Sequence, residues 1–237
     1  MSRLACLVAL LLGGTAAWAE CRQALALGLD VSGSVDAVEY RLQLDGLAWA
    51  LEETAVQAAF LADPASPVRL MVFEWSHPDH QRVVTGWTDI TTAARLDTLA
   101  ARLRASRAVR VDDPATAIGS AMIFGARALA AQSDCWQKTL DLSGDGPSNS
   151  GRAPRELGPD LLGDIMVNGL VIGPQARSNT TKNLSNVKSL LGYYRSVVLR
   201  GPGAFAETAL DHADFAQAMK RKLLREIAPP ALSWLSR

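Results

Sequence analysis

Three oxygen-bearing side chains, Asp30, Ser32 and Ser34, stand at alternate positions of one short segment. They follow the apolar run of residues 24–29, whose composition is typical of a buried strand. In open α/β sheets, ligands bind at the carboxyl ends of the strands. Carboxylate and hydroxyl oxygens on one tight loop suit a hard divalent cation such as Mg²⁺. The spacing therefore predicts metal-dependent recognition at the carboxyl edge of a sheet.

Two further oxygen ligands come from distant parts of the chain. Asp145 follows a second apolar run, residues 136–143, and Thr116 opens a predicted helix. The five groups converge on one edge if the first strand neighbours the strand that ends at Asp145. The alternative is that Ser32 and Ser34 only cap the helix that follows them, while the aspartates lie in turns.

With these residues in place, the chain resembles a von Willebrand factor A-type domain. The metal-ion-dependent adhesion site (MIDAS) of such domains combines an Asp-x-Ser-x-Ser loop, a distant Thr and a later Asp. The likeness covers essentially the whole mature chain. Within these domains, the chain is most similar to an uncharacterised exported bacterial family. The segments that carry it are residues 29–36, 74–76, 143–147, 168–170, 201–205 and 221–227.

The resemblance implies a role for each residue of the motif. Ser32, Ser34 and Thr116 would bind the metal directly, and Asp30 and Asp145 would hold it mainly through water. Neutral hydroxyl ligands leave most of the charge of the cation in place, and carboxylates one shell further out orient the bound waters. The metal would then accept an acidic side chain of another protein as its final ligand.

Polar residues close to this motif are open to more than one interpretation. Asp112 and Asp113 precede Thr116 and either favour Ca²⁺ or Mn²⁺ over Mg²⁺, repel an acidic ligand, or are solvated turn residues. His77 and His80 hint at a second metal site, but no third ligand is evident. The competing interpretation places them on a solvated hairpin loop that borders the recognition surface. Asp113 would border the same surface.

The hydrophobic pattern predicts strands that alternate with helices. We expect a single doubly wound, mostly parallel α/β sheet with one antiparallel edge strand and helices on both faces. The predicted strands are residues 23–31, 68–75, 81–87, 136–143, 166–172 and 197–199. The predicted helices are residues 35–62, 91–105, 116–131, 154–162 and 211–227, with a short unplaced helix before the last strand.

Residues 1–19 have the pattern of a secretory signal peptide, with Arg3 before an apolar run and a small-x-small cleavage site at Ala17 to Ala19. A membrane anchor is the alternative, although the run is short. We expect residues 20–237 to form one exported domain, periplasmic or secreted, with no later membrane span. Without Arg3, 23 basic residues face 24 acidic ones, a formal charge of −1 that argues against nucleic acid as a partner.

Two cysteines, Cys21 and Cys135, remain once the signal peptide is removed. Cys21 lies nine residues before Asp30, and Cys135 lies ten residues before Asp145. If the two strands are adjacent and parallel, both cysteines lie at the same end of the sheet, opposite the metal-binding edge. We therefore predict a disulfide in an oxidising compartment, with two free buried thiols as the alternative.

Charged residues near the end of the chain and inside a strand have structural interpretations. Asp141 interrupts an apolar strand, so it needs a partner, and a hydrogen-bonded structural acid is favoured over a metal ligand. The basic run at Lys220, Arg221, Lys222 and Arg225 is typical of a solvated face that complements the helix dipole.

Three functions remain compatible with the motif. The sequence favours a cation-dependent protein-binding module over an enzyme, because nucleophile-elbow, phosphate-loop and His-Glu-x-x-His motifs are missing. The alternative is a metal-dependent hydrolase of phosphate or carboxyl esters that uses the same five residues. A structural domain with an empty site is the third possibility.

Overall fold

The computed structural model describes residues 21–109, 115–174 and 180–228, without the side chains of residues 180–183. Six strands form one sheet in the order β3-β2-β1-β4-β5-β6, and β2 and β3 are its antiparallel pair. The strands are β1 (Cys21–Asp30), β2 (Val68–Trp75), β3 (Gln81–Ile90), β4 (Cys135–Gly144), β5 (Met166–Ile172) and β6 (Ala206–Ala209). The predicted sheet, with its antiparallel edge hairpin, is confirmed.

Helices cover both faces of this sheet. They are α1 (Ala37–Glu52), α2 (Thr54–Phe60), α3 (Ala93–Ala105), α4 (Ile118–Ala130), α5 (Pro159–Leu162), α6 (Thr180–Tyr193) and α7 (Phe215–Glu226). A 3₁₀ turn spans Pro154–Glu156, and a π-helical turn spans Tyr194–Val198. None of the helices in the described ranges is long and apolar enough to cross a membrane.

The central strand β1 is apolar on both sides because both sides are covered. Leu25, Leu27 and Leu29 pack with α1, α3 and α7 in one core. Ala24 and Ala26 belong to a second core with α4 and α6 on the opposite face. A strand enclosed in this way has a nearly continuous apolar sequence, which explains the pattern of residues 24–29.

The long predicted helix over residues 35–62 is wrong as a single element. Glu53 has an extended backbone (φ −64°, ψ 129°) and separates α1 from α2. The change of direction lets Val56 and Phe60 of α2 enter the same core as α1. Helix α1 begins after Asp36, whose carboxylate accepts hydrogen bonds from the amides of Val38 and Glu39.

The predicted last strand at residues 197–199 is also wrong. Val198 is buried in the π-helical turn, and only Arg200 forms an isolated bridge with Val167. The sixth strand is instead β6, a four-residue segment with little apolar character. The apolar run was misleading because its valines belong to a helical turn that packs into the core, and not to a strand of the sheet.

The basic run near the C-terminus is not entirely solvated. Lys222 is completely buried, and its Nζ lies 2.9 Å from Asp141 Oδ2 and 3.1 Å from Glu226 Oε2. Asn168 Nδ2 donates to the other oxygen of Glu226 at 2.7 Å. Lys222 is therefore the partner that Asp141 requires, and the solvated-face interpretation of this lysine is wrong.

This buried cluster makes stability depend on pH. Burial raises the pKa of Asp141 to about 7, with Lys222 acting against the shift and Glu226 adding to it. The pKa of Asp141 in the folded protein exceeds the ordinary value of 3.8. The contribution of Asp141 to the free energy of unfolding is therefore fully present below about pH 4 and is lost as the pH rises through 7. The free energy of unfolding of Asp141→Asn, measured with urea from pH 4 to 8, should therefore vary less than that of the wild type.

The exposed acid Asp97 on α3 provides the control, because Asp97→Asn should retain the wild-type dependence on pH. Parallel pH curves for the wild type and Asp141→Asn would contradict the raised pKa of Asp141.

The disulfide at the lower end of the sheet is confirmed. Cys21 and Cys135 are register partners of β1 and β4, and their Sγ atoms are bonded with the Cα atoms 4.3 Å apart. The bridge spans a sequence separation of 114 residues, so it strongly restricts the unfolded chain.

Removing this bridge should be costly. The double variant Cys21→Ser/Cys135→Ser should lose about 4 to 5 kcal/mol of unfolding free energy, because loop closure no longer restricts the unfolded state. Urea unfolding followed by tryptophan fluorescence measures the loss. Reductant should destabilise the wild type and leave the double variant unchanged, and equal stability of the two oxidised proteins would contradict the prediction.

Candidate metal centre

The carboxyl end of β1 holds Asp30 in a fixed, buried position. Its Oδ1 accepts a hydrogen bond from the amide of Ser32 at 2.8 Å, which closes a tight turn directly after the strand. Gln43 Nε2 donates to the carbonyl oxygen of Asp30 at 3.0 Å, and the amide of Val31 donates to Trp75 O on β2 at 2.9 Å. Both the backbone and the carboxylate of Asp30 are therefore oriented by the fold.

Four of the five predicted ligands form one connected network. Ser32 Oγ lies 3.2 Å from Ser34 Oγ, and Ser34 Oγ donates to Asp145 Oδ1 at 2.7 Å. Asp30 joins this network through the amide of Ser32. Two loops that are 111 residues apart in sequence thus meet at the top of neighbouring strands.

Thr116, the fifth predicted ligand, lies against the loop that follows Asp145. Its amide donates to Asn149 Oδ1 at 2.8 Å, and its carbonyl accepts from the amide of Asn149 at 2.9 Å and from Ser148 Oγ at 3.1 Å. The Thr116 side chain is buried. The structure thus brings Thr116 to the same edge, on a segment that is hydrogen-bonded to the Asp145 loop.

The β2–β3 hairpin opens beside this segment. Ser76 accepts from the amide of Ala117 at 2.9 Å, and its Oγ donates to Ala115 O at 3.1 Å. His77 and His80 lie on this hairpin loop, while Asp112 and Asp113 lie outside the described residues. Over the described ranges, no group of three or more His, Cys, Asp or Glu side chains could hold a metal ion, so the two histidines lack a third ligand.

The Asp30 carboxylate lies in a fully buried site, beside the partly exposed carboxylate of Asp145. Burial raises the pKa of Asp30 to about 7, and the charge of Asp145 adds to the shift. Among the residues that the structure describes, nothing forms a hydrogen bond with Asp30 Oδ2. Hydroxyl and carboxylate oxygens around an unsatisfied buried acid are a donor set that fits a hard divalent cation.

The floor beneath Asp30 contains residues that sequence reasoning missed. A Cβ atom added to Gly144 would lie 2.5 Å from Tyr194 Oη, 3.1 Å from Asp30 Oδ2 and 3.5 Å from Trp75 Cζ2. Gly144 therefore permits an aromatic floor in direct proximity to the carboxylate. Its position between Ser143 and Asp145 was the available signal, whereas nothing in the sequence connects Tyr194 with this edge.

Filling the position of Gly144 should disturb the site. We expect Gly144→Ala to lower the unfolding free energy by about 1 to 3 kcal/mol, because the methyl group must displace Tyr194 or Asp30. Gly146→Ala is the matched control, since a Cβ there meets nothing within 4 Å. Urea unfolding of both variants tests this, and equal stabilities would contradict the close packing of the floor.

Comparisons with known proteins agree with this architecture. The family model described as Protein of unknown function (DUF1194) matches residues 20–231. No curated protein matches the chain. The solved structures that resemble it are von Willebrand factor A-like, and this chain has the same fold.

Three of these structures illustrate the range of neighbours. Proximal thread matrix protein 1 from the mussel byssus aligns at 15% identity with a TM-score of 0.55, covering 88% of this chain and 48% of that protein. The pilus adhesin SpaC from Lactobacillus rhamnosus GG, in its open conformation, aligns at 15% identity with a TM-score of 0.54, covering 87% and 30%. An aerotolerance-related membrane protein from Bacteroides fragilis NCTC 9343, carrying multiple mutations to serines, aligns at 12% identity with a TM-score of 0.52, covering 85% and 98%.

The mussel protein is also known with its MIDAS motif occupied by zinc. That form aligns at 14% identity with a TM-score of 0.51, covering 88% of this chain and 46% of the mussel protein. The chain spans about half the length of the mussel protein and less than a third of the pilus adhesin. At these identities the likeness concerns the fold.

Proposed function

The chain belongs to the family Protein of unknown function (DUF1194), and because that description assigns no activity, we propose a function from the site itself. The protein is a divalent-cation-dependent protein-binding module of the adhesion or assembly type. The observation that carries the proposal is the connected network of Asp30, Ser32, Ser34 and Asp145 around a buried carboxylate oxygen.

The proposed metal site uses five residues. Ser32, Ser34 and Thr116 would provide hydroxyl ligands, and Asp30 and Asp145 would hold the ion mainly through water. A bound cation would supply a positive centre that accepts a carboxylate of another protein. The side chains of this chain orient that centre, and their neutral hydroxyls leave its charge available.

Mg²⁺ is the proposed cation, with Ca²⁺ and Mn²⁺ as alternatives for the same oxygen ligands. Two neighbours support the type of function: SpaC is a pilus adhesin, and the mussel protein holds zinc in its MIDAS motif. The disulfide between Cys21 and Cys135 supports an exported protein in an oxidising compartment, most simply the periplasm.

Metal binding should stabilise the folded chain. A cation at about 100 times its dissociation constant adds about 2.7 kcal/mol if it binds only the folded state. We expect Mg²⁺, Ca²⁺ or Mn²⁺ to raise the thermal midpoint above that in EDTA, and Asp30→Ala and Asp145→Ala to abolish the rise. Differential scanning fluorimetry over a metal concentration series measures the effect.

The control variant is Asp79→Ala, because this acid is highly exposed on the hairpin loop and should keep the full response to metal. No rise in the wild type at millimolar cation would contradict the proposed site. Cation-dependent hydrolysis of generic phosphate or carboxyl esters, lost in Asp145→Ala, would instead favour a hydrolase over a binding module.

A further inference from the structure

The Tyr194 side chain is an unusual component of the floor beneath the site. Tyr194 is fully buried, and its hydroxyl has no hydrogen-bond partner in the part of the chain that the structure describes. Its Oη and Asp30 Oδ2 both lie within 3.1 Å of the Cβ position of Gly144. An unsatisfied donor and an unsatisfied acceptor are thus buried beside each other under the proposed metal site.

Two glycines and an irregular helical turn bring Tyr194 to this place. The residue begins the π-helical turn that continues α6, and the amide of Leu199 donates to its carbonyl at 2.9 Å. On β5, a Cβ at Gly169 would lie 2.6 Å from Tyr194 Cδ1, and on β4 a Cβ at Gly144 would meet the hydroxyl. Single π-helical turns often occur at functional sites.

Packing alone does not account for the hydroxyl group. A phenylalanine would fill the same space, whereas burying a hydroxyl without a partner costs free energy. The indole nitrogen of Trp75 is likewise buried without a partner among the described residues. The Tyr194 hydroxyl and the Trp75 indole are both hydrogen-bond donors. Asp30, which ends β1, can accept a hydrogen bond, and β1 lies between β2 with Trp75 and β4 with Gly144.

We propose that Tyr194 is a positioning residue that donates a hydrogen bond to one water molecule bound to Asp30 Oδ2, and thereby fixes this carboxylate for metal binding. The inference rests on the proposed function of the same site. A phenol keeps its proton at neutral pH, so the Tyr194 hydroxyl is available as a hydrogen-bond donor. It acts through Asp30 and is not itself a ligand.

The variant Tyr194→Phe tests this role because it removes only the hydroxyl. We expect its affinity for Mg²⁺ and Mn²⁺ to fall by about tenfold or more, as is usual for the loss of a group that orients a metal ligand. Stability in EDTA should change little, because phenylalanine fills the same space and a single hydrogen bond is lost. Calorimetric titration measures the affinity, and urea unfolding in EDTA measures the stability.

Tyr40→Phe is the matched control. The Tyr40 hydroxyl donates to Glu74 at 2.7 Å, so its removal should change stability and leave metal affinity unaltered. The double variant Tyr194→Phe/Asp30→Asn should bind Mn²⁺ no more weakly than Asp30→Asn alone, because the tyrosine acts through the aspartate.

The possible outcomes separate this inference from the function on which it rests. Wild-type affinity in Tyr194→Phe, or an additive loss in the double variant, would overturn the role of Tyr194 while leaving the metal site intact. A wild-type protein that binds neither Mg²⁺ nor Mn²⁺ would remove the proposed function and the inference together. A loss of affinity that parallels a loss of stability in EDTA would show a structural role only.

Discussion

The parallel pairing of β1 with β4 is the constraint on which both ends of the molecule depend. At the lower end, this register places Cys21 opposite Cys135, and the disulfide locks it. At the upper end, the same register brings Asp30 and Asp145 to adjacent strand ends, where Ser34 joins the two loops. A shift of one residue would turn every side chain of the strand to the other face and separate these groups. The disulfide and the acidic cluster therefore both depend on the same register between β1 and β4.

Two acidic sites with different surroundings lie along β4: the buried Asp141 is within the strand, and the partly exposed Asp145 directly follows it. Asp141 and the nearby Glu226 face the ammonium of Lys222, which the protein itself supplies from α7. Asp145 and its neighbour Asp30 form no ion pair with any residue that the structure describes. A buried charge needs compensation, so the upper pair has the electrostatics of a site completed from outside the chain. This contrast between two neighbouring acidic sites is the physical basis for proposing that one cluster is structural and the other functional.

The sequence was most informative where local pattern determines position. Strand periodicity and the polar residues at strand ends were sufficient to predict the first five strands of the sheet, the proximity of Asp30 to Asp145, and the disulfide. It was least informative where tertiary contacts decide. Lys222 sits in a basic run yet is buried, because Asp141 lies on a strand 81 positions earlier in the chain. Tyr194 reaches the site through a π-helical turn, which hydrophobic periodicity does not predict. Strand β6 has only four residues and too little apolar character to be predicted as a strand.

The loops around the proposed site are joined by backbone hydrogen bonds and by the polar side chains of Ser76, Ser148 and Asn149. Ala117 bonds to the carbonyl of Ser76, and Asn149 bonds to the carbonyl of Thr116, so the hairpin, the α4 entrance and the Asp145 loop support one another. Backbone bonds make few demands on the side chains that face solvent. The residues of the proposed metal site would consequently stay in position when an exposed residue such as Asp79 is replaced, so one cation site would be compatible with different protein partners. Under the proposed function, cation affinity would depend on the floor and the strand ends, and the choice of partner would depend on the loop surface.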